Sequence, residues 1–431
     1  MAKTPTPSTH SSEIMTRRWT EQRWLLDNII RSVGADWDQP RTITYNAPCG
    51  VEANADFAAI RARVQKFADL TPAFETAARR REARARAAED ADELVTARNN
   101  YFIAAVQYAA SQWPFDDCGE KNLALNKSKR DCYLSYVRLA DHKVEPVLLP
   151  FKGGTLAGWW HLPPGYSGGR IPAIWWIPGM DGFKEANIAL YGDRWLSRGI
   201  AVLSLEGPGQ YESRIMGTTV SVPNWREAAH IAADWITARP EVDATRIGVG
   251  GSSFGSFFGT IAAASEQRFR ACAVTSTCLE PGCHTIFEEA SPTFKKRFMW
   301  MAGYTDEAAF DEFCKTLTWE GHAEKIKMPY LCVAGEADEL SPLAHTERLF
   351  ETLRTKKQLV VYQDSRHSVG NVPSANLGPM PAALVADWMN ARLNGKPFAS
   401  ERWFVEASGR VVKTPYGKNG TAEAQRRGGK A

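Results

Sequence analysis

The sequence predicts an α/β fold: a mostly parallel, doubly wound sheet with an antiparallel hairpin at one edge, preceded by a helical N-terminal domain. Three observations predict it. From Val144 onward, short apolar runs without polar alternation recur, as strands buried on both faces require. These runs alternate with amphipathic stretches of helical period, the grammar of a parallel sheet. Before Val144 only the helical period is present, and 431 residues exceed one average domain.

The elements follow in order. Residues 1–15 are rich in Thr, Ser and Pro and read as a disordered arm. Residues 16–143 read as the helical domain. Trp19, Trp24, Leu25, Ile29 and Ile30 recur at spacings that share a helix face, and residues 55–70 repeat the period. Ala77 to Asp92 combines high helix propensity with interleaved acids and bases, so it reads as a solvated helix. Further helices are expected over Val95–Trp113 and Asn122–Leu139. Residues 144–400 read as the α/β domain. Its first two strands, VEPVLLPF and TLAGWWHLPP, are joined by the turn signal Lys152-Gly153-Gly154. Buried strands are then expected at 172–179, 200–207, 246–251, 271–277, 329–335 and 358–364. Helices are expected at Ala186–Arg198, 224–238, Phe254–Ser265, 345–353 and 380–393. Residues 401–431 read as a basic, Gly-rich tail. Adjacent Trp residues on a strand point to opposite faces, and Trp175 and Trp176 are both assigned to the core.

Composition narrows the partners. Net charge is +3 with no segregated basic stripe, which excludes nucleic acid as the default partner. The eight cysteines form no C-x-x-C pair, and Cys278, Cys283 and His284 lack a matching second pair, so neither metal nor other cofactor is expected. Free, mostly buried thiols fit a reducing compartment. No signal-peptide h-region and no run of eighteen apolar residues occurs, so the expectation is a cytoplasmic protein without membrane or nucleic-acid partners, acting on a small molecule.

Gly251-Ser252-Ser253-Phe254-Gly255 matches the G-x-S-x-G nucleophile elbow, directly after an expected strand and opening an expected helix. The serine there sits on a strained strand-to-helix turn, and small residues two places before and after avoid the neighbouring backbone. Only Ser253 has glycine on both flanks. A serine hydroxyl needs a base, and the base needs an acid to hold its tautomer. In this fold they follow in the order Ser, Asp or Glu, His. Asp338, in the turn Glu336-Ala337-Asp338-Glu339 after one strand, is preferred over its two glutamate neighbours. His367 follows the next strand, and the rival His345 falls within a helix. The oxyanion hole needs two backbone N–H groups. One is that of Phe254; the other lies in Gly179-Met180-Asp181-Gly182, with Met180 ahead of Asp181.

Four features together, RNNYFIAAVQYAA, PFKGGTLAGWWHLP, PGMDGFKE and SLEGPGQYES, resemble the α/β-hydrolases with a helical N-terminal domain. These are the families related to 2,6-dihydroxypseudooxynicotine hydrolase, the fermentation–respiration switch protein and the fungal hydrolases that shorten pigment polyketides. The resemblance implies the α/β-hydrolase fold, an N-terminal cap over the site, a homodimer, and the same Ser253–Asp338–His367 triad and Met180/Phe254 hole. It implies cleavage of an ester or of a carbon–carbon bond beside a ketone. It also implies an additional acid after the strand following the elbow, with Glu280, Glu288 and Glu289 as candidates. The run Glu206-Gly207-Pro208-Gly209-Gln210-Tyr211 departs from the relatives' pattern, where Asp and Gly stand at its ends, and Ser256 stands where a second Gly is common. Tyr211 is expected to reshape the pocket. The same triad would also serve an acyltransferase, and a hydrolase fold can host a non-catalytic receptor.

Overall fold

The computed structural model describes residues 14–416. The arm read over 1–15 falls almost wholly outside them, as does the tail beyond 416. Six helices lead: α1 (Arg17–Val33), α2 (Arg41–Asn46), α3 (Asn54–Arg63), α4 (Leu70–Asp90), α5 (Leu94–Gln112) and α6 (Glu120–Leu139). On α1 the expected apolar face divides. Trp19, Leu26 and Ile30 are buried, whereas Trp24, at 66% exposure, Leu25 and Ile29 lie outward. Helix α5 is buried on every side from Asn100 to Gln112 and runs through the middle of the helical core.

Ten strands then form one sheet: β1 (Val144–Phe151), β2 (Gly154–His161), β3 (Ile171–Ile177), β4 (Ala201–Leu205), β5 (Val242–Ser253), β6 (Ala271–Thr277), β7 (Tyr330–Gly335), β8 (Lys357–Tyr362), β9 (Glu401–Val405) and β10 (Val411–Pro415). Their spatial order is β1-β2-β4-β3-β5-β6-β7-β8-β9-β10. Strands β4 to β9 pair in parallel along that order, with β2 antiparallel to β4 and to β1 at one edge, and β10 antiparallel to β9 at the other. The chain therefore has the expected α/β-hydrolase architecture, a mostly parallel sheet with an antiparallel edge hairpin and a helical N-terminal region.

Two expectations are corrected. Residues 401–415 are not tail: Val405 is buried, and β9 extends the parallel sheet beside β8. Ala186–Arg198 is not a helix but loop with short 3-10 turns at Lys184–Ala186 and Leu196–Arg198. The Asp193 carboxylate takes the N–H groups of Ala189, Trp195 and Leu196, replacing helical bonds with a side-chain acceptor.

The sheet's faces follow from alternation along each strand. Trp160 packs on Trp235 on one side, while Trp159 packs at a tilt against Tyr133 of α6, centroids 4.6 Å apart. Through Trp159, Phe183 and Tyr211 the helical core is continuous with the α/β portion. Among the described residues no helix is long and apolar enough to cross a membrane. All eight cysteines are free, and seven are buried.

Candidate active site

Strand β5 runs straight into the helix Phe254–Ser265, and Ser253 marks the junction with φ 58° and ψ −128°. A left-handed φ on a non-glycine residue is strained, and here it projects the hydroxyl out of the sheet's carboxyl edge. The flanking glycines are there for steric reasons. A Cβ on Gly251 would come within 2.4 Å of the Gly255 carbonyl oxygen, and one on Gly255 within 2.3 Å of that of Ile177. Phe254 is fully buried, its ring against Phe298 and Phe287, so the turn rests on a packed aromatic base.

The turns after β7 and β8 bring the other two residues to this point. His367 Nε2 lies 3.0 Å from Ser253 Oγ. Its Nδ1 lies 3.2 and 3.1 Å from the two oxygens of Asp338. The Asp338 side chain is fully buried, and its Oδ1 also accepts the N–H groups of Leu340 and Ser341, which fixes its orientation. Glu339 accepts the backbone N–H of His367, and Glu336 that of Asp364, so neither faces the imidazole as Asp338 does. His345 is 3.6 Å from Glu280, on the helix Leu343–Thr352. Burial disfavours the His367 imidazolium, but Asp338 and Cys278 beside it outweigh burial and hold its pKa well above the ordinary 6.5.

Gly179 presses on the nucleophile: a Cβ there would sit 2.7 Å from that of Ser253. Gln210 Nε2 donates to the carbonyls of Pro178 and Gly179, at 2.6 and 3.1 Å. Met180 and Gly182 line the same cavity as Ser253 and His367. The Phe254 N–H is one of the first-turn donors that a helix leaves without an intrahelical acceptor.

The cavity is open to solvent and spans about 900 Å³ of empty space, its mouth included. From the helical region it is lined by Gln39, Arg41, Thr44 and Tyr45, which no sequence pattern singled out. From the α/β portion come Trp176, Phe183, Asn187, Ile286, Phe294 and Leu340. Trp176 is thus a wall of the cavity, packed on Trp195, whereas Trp175 is core, stacked on Trp225. A second groove of about 1530 Å³ adjoins at Trp176, Asn187, Ser252 and Ser276.

The additional acids expected after β6 are elsewhere. Glu280 turns back to accept the Thr285 N–H, Glu288 pairs with Lys295, and Glu289 is exposed beside His284; none lines the cavity. What that segment brings to the nucleophile is Cys278, its Sγ 3.7 Å from Ser253 Oγ. Ser256, in place of the relatives' glycine, accepts the Cys278 N–H at 2.9 Å. Tyr211 does not line the cavity either; its hydroxyl donates to the Asp181 carbonyl at 3.2 Å.

The FrsA-like esterase model matches residues 73–305, more than half of the chain. The chain belongs to the FrsA-like esterase family. A prolyl oligopeptidase family model also matches the FrsA-like chain over residues 229–396. Among curated proteins, the α/β hydrolase xenA of Xenoacremonium sinensis is 28% identical over 230 residues, covering 51% of this chain and 53% of that protein. The α/β hydrolase gkaG of Penicillium citrinum is 30% identical over 230 residues, covering 51% and 52%. The chain spans about half the length of the curated relatives it matches. The solved structure of 2,6-dihydroxy-pseudo-oxynicotine hydrolase shares the fold, with TM-score 0.71, 22% identity, and 83% of this chain and 98% of that one covered. The structure of AbyA5 does so with TM-score 0.59, 16% identity, and coverage of 82% and 99%. The FrsA-like chain thus shares the fold of these solved structures.

Proposed function

We propose that this chain is a serine hydrolase that cleaves a neutral small-molecule ester through an acyl-enzyme on Ser253. The observation that carries the reading is the single imidazole of His367, within hydrogen-bond reach of Ser253 on one nitrogen and of Asp338 on the other. In the proposed course His367 Nε2 takes the Ser253 proton as Oγ attacks the carbonyl carbon. The N–H groups of Met180 and Phe254 receive the oxyanion, a contribution of about 3 kcal/mol per donor in comparable sites. His367 then protonates the departing alkoxide. A water molecule, deprotonated by the same nitrogen, releases the acid.

Ester cleavage is favoured over carbon–carbon cleavage by the acids of the cavity. A carbanion leaving group calls for a further proton donor, and Asp181 is the one carboxylate among the lining residues. Its oxygens already accept from Arg41 and Trp113, which leaves the alkoxide of an ester, protonated by His367, as the better match. The aromatic and aliphatic walls, with Arg41 paired to two carboxylates and offering no free positive charge to an anion, suit a neutral acyl group.

Intact mass after fluorophosphonate treatment tests the reading. A single adduct on the wild type, absent from Ser253→Ala, is expected, followed by turnover of p-nitrophenyl esters. An unlabelled, folded wild type would remove the serine-hydrolase reading. Full labelling with cleavage of a β-diketone but of no ester would replace ester cleavage by carbon–carbon cleavage.

A further inference from the structure

The loop after β3 is tied down from a distance. Asp181, next to Met180, receives hydrogen bonds on both its carboxylate and its carbonyl. Arg41 donates to Oδ2 from Nε at 3.1 Å and from Nη2 at 2.7 Å, and Trp113 Nε1 donates to Oδ1 at 2.9 Å. The Asp181 carbonyl accepts the hydroxyls of Tyr45 at 3.0 Å and Tyr211 at 3.2 Å. Arg41, Tyr45 and Trp113 all belong to the helical region, so most of the clamp reaches across from it to the sheet's edge. The Arg41 guanidinium is itself immobilised. It lies 3.9 Å from the Trp113 ring centroid, Asp38 takes its remaining fork, and its side chain is only 6% exposed. A planar fork held on both sides by carboxylates and stacked on an indole has one geometry, which a lysine cannot reproduce.

We infer that Arg41 is a positioning residue for the oxyanion loop: through Asp181 it ties the helical region to the segment that carries the Met180 N–H. This rests on the serine-hydrolase reading above. The helical region is then more than a wall of the cavity. Asp181 is anchored on its side chain by Arg41 and Trp113 and on its backbone by two tyrosines, while Gln210 holds the carbonyls of Pro178 and Gly179. The Met180 peptide lies between these two fixed points. A donor that must meet a developing oxyanion at about 2.7–3.1 Å contributes fully only if it is held before the reaction starts.

The test compares Arg41→Ala, Arg41→Lys and the double variant Tyr45→Phe/Trp113→Phe with the wild type, all titrated with a fluorophosphonate so that rates are per active site. For Arg41→Ala, kcat on a p-nitrophenyl ester is expected to fall about 10- to 100-fold with KM changed less than about threefold. Inhibition by a trifluoromethyl ketone, which forms the tetrahedral oxyanion on the serine, should weaken by the same factor as kcat/KM. Arg41→Lys should fall between the two. The double variant removes two of the clamp's bonds without stranding a buried charge, and should show the same pattern at about 3- to 10-fold; it decides the matter if Arg41→Ala does not fold. A purely structural role would lower Tm and the fraction of titratable sites, leaving per-site kcat and ketone affinity at wild-type values, and that result would overturn the inference. A wild type that takes no label at Ser253 removes this inference together with the serine-hydrolase reading. A labelled wild type with unaffected variants removes this inference alone.

Discussion

Gln210 donates to the Gly179 carbonyl at 3.1 Å, and that one bond sets the direction of a neighbouring N–H. The Gly179–Met180 peptide is planar and trans, so its carbonyl and the Met180 N–H point opposite ways. Holding the carbonyl toward Gln210 therefore turns the N–H away from it. Gln210 is buried, and its Oε1 accepts the Gly207 N–H, so its amide cannot rotate without losing a bond. Gln210→Met keeps the length and loses the donor. Its expected effect is a drop in kcat of about tenfold or more, with KM little changed, since removal of a complete oxyanion donor costs about 10²–10³. Steady-state kinetics on a p-nitrophenyl ester checks it, and an unchanged kcat would detach Gln210 from the hole.

The pH profile follows from the protonation state that catalysis needs. His367 must be neutral to accept the serine proton, and Asp338 and Cys278 hold its pKa well above 6.5 against the opposing effect of burial. The protonated, inactive form then persists to higher pH. The acid limb of kcat/KM is accordingly expected above 6.5, with the rate falling tenfold per pH unit below it. Asp338→Asn removes the charge and leaves burial, which lowers the pKa. In that variant the limb should move down, while the maximal rate falls by up to about 10⁴. A wild-type limb at or below 6.5 would show that Asp338 and Cys278 do not outweigh burial at His367.

Gly179→Ala probes how tightly the loop closes on the nucleophile. The new Cβ would meet the Ser253 Cβ at 2.7 Å and the Ser252 carbonyl oxygen at 2.9 Å. Both neighbours sit on the strained elbow, so the loop must move rather than the serine. The expected result is a loss of kcat of about 100-fold or more, with fluorophosphonate labelling slowed in proportion. Wild-type labelling rates would mean that the loop can shift without cost to the site.

What could be read from the sequence was whatever local sterics or strand order dictate. The glycines around Ser253 are demanded by contacts within a few residues of the turn, and Asp338 and His367 follow from lying after consecutive strands. The Arg41–Asp181 pair spans 140 positions and carries no spacing signature, so only the folded chain reveals it. The missing acid after β6 has the same origin: Glu280 has the right position in the chain, but its carboxylate caps Thr285, and Cys278 takes the place beside Ser253. Trp176 was assigned to the core because alternation gives the face of a strand, not whether a helix or a cavity covers the end of that face. At Asp193 a side-chain acceptor outcompetes a helical pattern, a contest that periodicity does not register.

The last strands were passed over because ERWFV is short and lies beside a basic, Gly-rich stretch, yet they close the sheet next to the turn that carries His367. Strand β8 is buried along its whole length, and β9 covers its outer edge from Gln358 to Tyr362. The Gln363 N–H, four residues before His367, donates to the Val405 carbonyl at 2.9 Å, and the Gln363 side chain accepts the Ala407 N–H at 2.8 Å. Removing residues 401–431 would leave β8 as a long apolar edge with unpaired backbone groups, the arrangement that invites pairing with other chains. That truncation is expected to be insoluble, or to melt below the full chain, since burial of Val405 alone contributes about 1.5–3 kcal/mol. Removing only 417–431 keeps both strands and serves as the reference for that comparison. Differential scanning calorimetry of the two truncations separates the cases, and equal melting temperatures would show that β9 and β10 add nothing to the sheet that holds the site.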